Sequence, residues 1–354
     1  MESKERPLLS FIVVCYNQEE YICEAVEGAL AQTYSPLEII ISDDASKDRT
    51  FEIASELVAK YRGQHLVRLN RNEKNLGMGQ HISHLMTLCT GELVIGAAGD
   101  DVSYPERTES IFRAWDASGR RATSIFSSYM TISSVGEELG VGGTRGVAED
   151  AQILRPQKGK LADFLSHNWP VVVGCTHAWS PRLFKFFGPL ISDLEDLVLS
   201  FRTLAIGEML YIHKPLIKYR RHGSNVSFFA GWDDTSSFDH REKRLRWVNA
   251  KSEAAYANFL GDIETLRRNQ SIGTSERDSL LMIAHRMRCL YATELRLMNE
   301  GLVGKVAAII DALKRGYYKI ALRSLPRLLP LRIYRCLYLF RFWWRSRKRT
   351  KRDQ

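Results

Sequence analysis

The 354-residue chain is 45% hydrophobic and 26% charged, the balance of an ordinary soluble globular protein with room for one large domain and a smaller one. Its six cysteines (Cys15, Cys23, Cys89, Cys175, Cys289 and Cys336) show no CxxC and no paired spacing, which sets aside a zinc knuckle and a disulfide framework and fits a reducing compartment. The net charge of +9 is local: between 314 and 354, fourteen Lys or Arg face one acid, and this +13 leaves −4 on the rest, so the body carries no basic groove for nucleic acid.

The chain opens with MESKERPLLSFIVVCYN, a charged lead and a short apolar run without a small-residue cleavage site, so no signal peptide is expected. The sequons at Asn225 and Asn269 then carry no weight. LLSFIVV reads as a strand, EEYICEAVEGALAQ as a helix with apolar residues at helical spacing, and LEIIISDD as a second strand ending in acids. FEIASELVAKY reads as helix, LVRLN as strand, GQHISHLMTLC as helix and ELVIGAA as strand. Runs such as FIVV and EIII are apolar throughout instead of alternating, which predicts a mostly parallel sheet with helices on both faces. Ligands of such sheets bind beyond the carboxyl ends of the strands, where Tyr16, Asn17, Asp43, Asp44, Asn70, Asp100 and Asp101 fall. The Gly-rich stretch from 131 to 160 is expected to be a loop over the sheet edge. Long helical patterns follow over 238–268 and 276–299, which sets a domain boundary near 230, with a helical region over 231–325 and a basic tail over 326–354.

No GxGxxG follows the first strand and no GxxxxGK[ST], GxSxG or HExxH is present, which removes Rossmann dinucleotide sites, P-loop NTPases and two hydrolase classes. What stands at the expected ligand edge is acidic. Adjacent carboxylates there, such as Asp100 and Asp101, suit a hard divalent cation, Mn²⁺ or Mg²⁺, which takes one or two carboxylates together with phosphate oxygens. The alternative for a bare pair of aspartates is a solvated turn capping the helix near Pro105.

Several segments standing in order decide between these readings. FIVVCYNQEEYICEAVEGALAQTYSPLEIIISDDASKDRTFEIA, NEKNLGMG and TGELVIGAAGDDVSYPERTE, followed by FKFFGPLISDLEDLVLSFRTLAIGEMLYIHKPLIKYRRHGSNVS, resemble the family 2 glycosyltransferases, nucleotide-sugar enzymes of the GT-A fold. The resemblance runs over roughly residues 8–228 and makes residues 1–230 the expected GT-A domain. It implies Tyr16 against the nucleobase, with Asn17 and Glu19 shaping that pocket. It implies Asp44 as acceptor for a base N–H, with Asp43 supporting the loop. Asp100 and Asp101 become the motif that holds the metal and the donor diphosphate, with Asp101 the favoured direct ligand. Ala98 stands where many relatives have a further acid, and Leu197 where an aromatic is usual. In Glu195–Asp196 the second acid is the family's general base, so Asp196 is expected to take the acceptor proton. His222 is a candidate third ligand or diphosphate contact beside Arg220 and Arg221. Arg202 is expected to pair with an active-site acid. His81 and His84, three apart on one helix, suggest an exposed face more than a metal site.

The implied activity is inverting, metal-dependent transfer of a sugar from a nucleotide-diphosphate donor, a UDP-sugar being favoured, to a hydroxyl of a glycan or lipid-linked acceptor in cell-surface polysaccharide synthesis. Two rivals remain at this stage: a nucleotidyltransferase, which CYNQEEY does not suit because it is neither Gly-rich nor basic, and a non-catalytic membrane-associated scaffold. The tail LRSLPRLLPLRIYRCLYLFRFWWRSRKRTKR interleaves Arg with bulky aromatics and has no charge-free run near the ~20 residues of a spanning helix. It is expected to lie on an anionic membrane, which makes the protein peripheral on the cytoplasmic face and no binder of nucleic acid.

Overall fold

All seven residues of β1 (Leu9–Cys15) are buried, and the strand is sandwiched between two parallel neighbours, β2 (Leu37–Asp43) and β4 (Val94–Ala98). A strand with neighbours on both edges and helices over both faces has no solvated side, which is why LSFIVVC does not alternate. The computed structural model describes residues 5–143, 153–154, 160–166, 172–223, 225 and 238–329. Two compact units make up the chain, Met1–Ala230 with Ala257–Leu281, and Gly231–Tyr256 with Met282–Gln354.

In the first unit the chain alternates β1, α1 (Ile22–Leu30), β2, α2 (Thr50–Lys60), β3 (Leu66–Arg71), α3 (Met78–Leu88) and β4. Of the positions picked out by helical spacing, helix α1 buries Ile22, Ala25, Val26 and Ala29 and leaves Leu30 half-buried. Strand β3 is the sheet's outer strand on this side, and Leu66 and Leu69 are exposed on it. After β4 come β5 (Val102–Ser103), α4 (Arg107–Ala117), β6 (Ala122–Ile132), β7 (Glu138–Gly142), β8 (Ile153–Leu154) and α5 (Lys160–Leu165). Then follow β9 (Ala178–Trp179), α6 (Arg182–Phe187), α7 (Glu195–Ile206) and β10 (Glu208–Arg220). Among the described residues the sheet runs β3-β2-β1-β4-β9-β6-β10-β5, with β7 beside β6 and β8 beside β10. The pairs β1/β2, β1/β4, β2/β3 and β6/β10 are parallel, whereas the short β9 joins β4 to β6 antiparallel to both. The result is a mixed α/β sheet, mostly parallel and flanked by helices. The first part of the 131–160 stretch is not a loop: β6 continues to Ile132 and β7 folds back on it from Glu138, while residues 144–152 and 155–159 lie outside the described residues.

The charge expected near the catalytic acids sits elsewhere. Arg202 is buried and forms a two-pronged pair with Asp262, Nε to Oδ2 at 2.9 Å and Nη2 to Oδ1 at 3.0 Å. Its remaining N–H groups donate to the carbonyls of Gly188 and Pro189. One helical turn and a half past Asp196, its side chain points into the apolar interior, and a buried guanidinium there requires a buried carboxylate.

In the second unit, α8 (Phe238–Arg268) up to Tyr256 and α9 (Thr274–Asn299) from Met282 accompany α10 (Leu302–Lys314) and α11 (Tyr318–Ser324). Leu297, Ile309, Ala312, Ile320 and Ala321 form its core. Arg288 pairs with Glu253 at 2.7 Å, and the rings of Tyr256 and Tyr291 lie 5.7 Å apart.

Asp262→Ala leaves Arg202 charged, buried and unpaired, so urea unfolding is expected to show a loss of about 3–5 kcal/mol. Joint replacement Arg202→Met with Asp262→Leu removes the charge with its partner and is expected to recover most of that loss. A double variant as weak as the single one sinks this account of the pair.

Candidate active site

The register of the central strands decides which loops meet. Val14 pairs with Ala98 and Cys15 with Asp43, so the segments after β1, β2 and β4 leave the sheet at one edge. The Asp44 N–H donates to the Cys15 carbonyl and the Gly99 N–H to the Val14 carbonyl, each at 2.9 Å, which draws both acidic segments against the end of β1. Gly99 is required there. A Cβ on it would stand 2.5 Å from Gln18 Oε1 and 2.7 Å from Cys15 Cβ.

Tyr16 is the residue of this edge with an open aromatic face, 42% exposed. The residues after it stitch the β1 and β2 loops together. Asn17, at φ 50°, accepts from the Lys47 N–H through Oδ1 and donates its own N–H to Ser46 Oγ, both at 2.8 Å. Glu19 Oε2 accepts from the Arg49 N–H at 2.8 Å. Asp43 is buried, takes the Ser46 N–H at 2.9 Å and the Ser46 hydroxyl, and lies 3.4 Å from Arg71 Nε, the geometry of a loop support. Asp44 is buried too, and its oxygens collect the N–H groups of Leu76 (2.9 Å) and Gly77 (3.0 Å) and the Asn72 amide (2.7 Å). Asp44 therefore fastens the loop before α3 to the sheet.

That loop in turn fixes the acids of α7. The Gly79 N–H donates to Asp193 Oδ1 at 3.1 Å. Gly77 has φ 77°, and a Cβ there would stand 2.9 Å from Asp193 Oδ1, while a Cβ on Gly79 would collide with the Ser192 carbonyl oxygen. Glycines at these two positions let the segment carrying Ser192 and Asp193 lie directly on the α3 start, two residues before the Glu195–Asp196 pair. His81, expected on an exposed face, is buried, with Nε2 2.6 Å from Ser42 Oγ, and burial lowers its pKa. The apolar face of α3 packs on the sheet, so a histidine there needs a polar partner, and β2 supplies it.

The two aspartates after β4 separate. Asp101 is 2% exposed, its Oδ1 accepts the Arg220 N–H at 2.8 Å, and it takes a further hydrogen bond from the Cys175 thiol. Burial and the neighbouring Asp100 charge raise its pKa. Asp100 turns the other way, with Oδ2 2.9 Å from His222 Nε2, and the His222 ring lies tilted by 34° against Tyr21, centroids 4.7 Å apart. Asp101 was expected to be the direct metal ligand, yet Asp100 is the carboxylate that shares its position with the histidine. Arg220 also departs from expectation. Rather than facing a diphosphate it is buried, donating from Nε to the Asp100 carbonyl (3.0 Å) and from Nη1 to the Ser134 carbonyl (3.2 Å), with Nη2 2.9 Å from Glu24. Arg221 is exposed. Asn225 spends its amide on the Arg220 carbonyl and the His222 N–H.

Sequence reasoning passed over Arg107, which is wholly buried under this edge. Its guanidinium donates to Ser103 Oγ (2.9 Å) and to the carbonyls of Gly96 (2.6 Å) and Cys175 (2.7 Å), tying β4, β5 and the turn at Gly174–Thr176 together. Burial lowers its pKa to about 10, so it stays charged at neutral pH and offsets the buried Asp101. Its position in SYPERTE, first residue of a helix after a strand end, looks like any solvated arginine, and no spacing rule marks it.

Glu195 and Asp196 open α7. Glu195 lines a cleft together with Val14, Gly96, Ala98, Gly174 and Cys175, so it faces the end of β4. Asp196 Oδ1 accepts from the Leu197 N–H at 2.7 Å. A helix N-terminus favours carboxylate charge, but burial dominates: Asp196 rises to about 6, and Glu195, which also feels Asp196, is pushed higher. The edge therefore offers an exposed aromatic, a carboxylate beside an imidazole and, with Glu195 on the cleft and Asp196 next to it in the chain, two carboxylates with separated proton affinities.

Comparison with known proteins bears on the family and the fold. The family described as glycosyl transferase family 2 matches residues 10–175. An uncharacterized glycosyltransferase of Rickettsia typhi is 28% identical over 225 residues, 62% of this chain and 66% of the relative. One from Rickettsia felis is 27% identical over 226 residues, 62% of this chain and 35% of the relative. The chain thus spans just under two thirds of the first and about a third of the second. Among solved structures, S. aureus TarS 1–349 in complex with UDP-GlcNAc superposes with a TM-score of 0.50 at 15% identity, covering 88% of this chain and 92% of that one. The likeness is one of fold, the GT-A type.

Because the α3 start carries Ser192 and Asp193, Gly79→Ala is expected to push the α7 acids out of place, lowering stability by about 1–3 kcal/mol by the usual cost of overpacking. Thermal unfolding checks this. An unchanged melting point would show that the Ser192 carbonyl yields freely.

Proposed function

We propose that this chain, a member of glycosyl transferase family 2 through residues 10–175, transfers a sugar from a nucleotide-diphosphate donor to a hydroxyl of a glycan or lipid-linked acceptor. The observation that carries the reading is the half-buried Glu195–Asp196 pair at the start of α7, whose Glu195 lines the cleft at the strand ends where a donor would lie. Two adjacent carboxylates cannot both ionise easily, and burial drives their proton affinities apart. Asp196, at about 6, is then the one ionised at neutral pH and still basic enough to accept a proton, while Glu195 keeps its proton longer.

Asp196 takes the acceptor hydroxyl's proton as that oxygen attacks the anomeric carbon, and the nucleoside diphosphate leaves from the opposite face. A single displacement of this kind inverts the anomeric centre and needs no covalent nucleophile. Tyr16 offers its ring to the nucleobase, with Asn17 and Glu19 holding the loop it stands on. Asp44 and Asp43 hold the segments on either side, and Asp44 accepts a base N–H when the loop before α3 yields one of its own. UDP is the favoured nucleotide, as in the TarS complex.

Asp100 and His222 fit a hard divalent cation, Mn²⁺ or Mg²⁺: a carboxylate oxygen and a ring nitrogen 2.9 Å apart would spread around it. Among the described residues no group of three or more His, Cys, Asp or Glu could hold a metal, so the donor's phosphate oxygens and water would complete the set. Such an ion supplies Lewis acidity to the departing diphosphate. Asp101 and Arg220 keep the Asp100 turn in place from below. A place at the cytoplasmic membrane face, with the basic tail over 326–354 on anionic lipid, would suit a role in cell-surface polysaccharide synthesis. That tail lies almost wholly outside the described residues.

Two outcomes are expected. A base must be deprotonated to act, so turnover of a UDP-sugar should fall as the pH drops through about 6, and Asp196→Asn should lower kcat about 10²–10⁴-fold while UDP binding with Mn²⁺ persists. Near-normal turnover by Asp196→Asn would assign the base elsewhere, and no transfer at all by the native chain would favour a scaffold. Separately, calorimetric titration of UDP with Mn²⁺ should weaken at least about tenfold in Asp100→Ala and in His222→Ala, by the usual cost of removing a ligand or its partner. If only Asp101→Ala weakens it, the assignment of the two aspartates is reversed.

A further inference from the structure

Helices α10 and α11 are apolar on both of their faces. On α10, Ala308, Ile309 and Ala312 are buried in the core of the second unit. The opposite stripe, Val303, Val306, Ile310 and Leu313, recurs at spacings of three and four and is exposed, Val303 at 84%. The pattern continues past the turn at Gly316. Ile320 and Ala321 are buried, while Tyr318, Leu322, Leu325 and then Leu329 are exposed at spacings of four, three and four. A helix on the surface of a globular protein turns charged and polar residues to water, and a helix apolar all round is one that is covered on both sides. An exposed apolar stripe this long is an interaction surface.

The charge around it selects the occupant. Residues 302–329 carry six Lys or Arg (Lys305, Lys314, Arg315, Lys319, Arg323, Arg327) and one acid, Asp311, which Arg315 neutralises at 3.2 Å. Lys314 and Arg315 are exposed where α10 ends. Two copies meeting through this face would bring like charges together, and a protein partner would have to be strongly acidic as well as apolar. A bilayer with anionic headgroups supplies both properties in layers, acyl chains beneath and negative charge above. No helix among the described residues is long and apolar enough to cross a membrane, so the contact is one of lying in the interface.

We propose that the exposed stripe of α10 and α11 is a membrane-docking face that seats Val303, Val306, Ile310, Leu313, Tyr318 and Leu322 at the acyl boundary of an anionic bilayer. It extends the reading of the basic tail, which follows α11 in the sequence, and it is independent of the sugar-transfer chemistry. Stripe residues supply insertion, and the cations on and beyond it supply attraction, so binding requires both.

Flotation of the full chain with vesicles tests it. Binding is expected to vesicles of phosphatidylcholine with phosphatidylglycerol, and only weakly to phosphatidylcholine alone. Val306→Asp with Ile310→Asp, both at exposed positions, is expected to weaken binding at least about tenfold while far-UV circular dichroism, melting point and UDP binding stay unchanged. A tail variant, Arg347→Gln with Lys348→Gln and Arg349→Gln, separates the two readings. It should reduce binding mainly at low ionic strength and leave the loss caused by the stripe variant in place. Vesicle binding by the stripe variant equal to that of the native chain overturns the proposal. So does a native dimer in light scattering that the stripe variant splits, which would make a second copy the occupant. A melting point several degrees lower in the stripe variant without vesicles overturns it as well, because the chain itself would then be covering the face.

Discussion

Two backbone hydrogen bonds at the end of β1 set the terms for the candidate site. By accepting the N–H groups of Asp44 and Gly99, the carbonyls of Cys15 and Val14 draw the segments after β2 and β4 to the same point, and only glycine fits at position 99. Everything else at that edge is consequent on this convergence. Asp43 and Asp44 become loop fasteners, Asp100 is carried to His222, and Tyr16 is left exposed at the end of β1. The parallel register that makes it possible is held by a strand with no polar face, so the chemistry at its tip rests on hydrophobic burial along its length.

Buried charge does much of the remaining positioning. Arg107 and Arg220 are both withdrawn from solvent, and both spend their guanidinium donors largely on backbone carbonyls, those of Gly96 and Cys175 in one case and of Asp100 and Ser134 in the other. A planar cation with five donors holds several chain segments at fixed angles, which lysine does not do. Both lie beneath the Asp100–Asp101 turn, so the sharp step from an apolar strand to two carboxylates is balanced from below by positive charge.

The strands and helices of the first hundred residues were legible because burial imposes its own period on the sequence, and the ordered segments YN, SDD, GDD, LED and YRRH were enough to point to the family whose model matches residues 10–175. What sequence does not contain is the direction in which a side chain leaves a strand end. Asp100 and Asp101 are equivalent on paper, yet one faces the sheet interior and the other His222. Arg202 was expected to pair with an active-site acid and Arg220 to meet the diphosphate, but Arg202 pairs with the buried Asp262, and Arg220 is spent on the carbonyls of Asp100 and Ser134 and on Glu24. His81 lost its polar face to tertiary packing on β2. Gly77 and Gly79 carried a signal that could be read in hindsight from chemistry alone, since two glycines flanking a helix start indicate close approach of another segment.

The path from Asp44 through the N–H groups of Leu76 and Gly77, then from Gly79 to Asp193 and on to Glu195 and Asp196, is a continuous run of hydrogen bonds and chain. On the proposed reading its two ends serve different substrates, the donor's base and the acceptor's hydroxyl. Substitutions that retune one specificity are therefore inherited by the other, and lineages of this fold that change their donor would have to re-optimise the acceptor side in the same step.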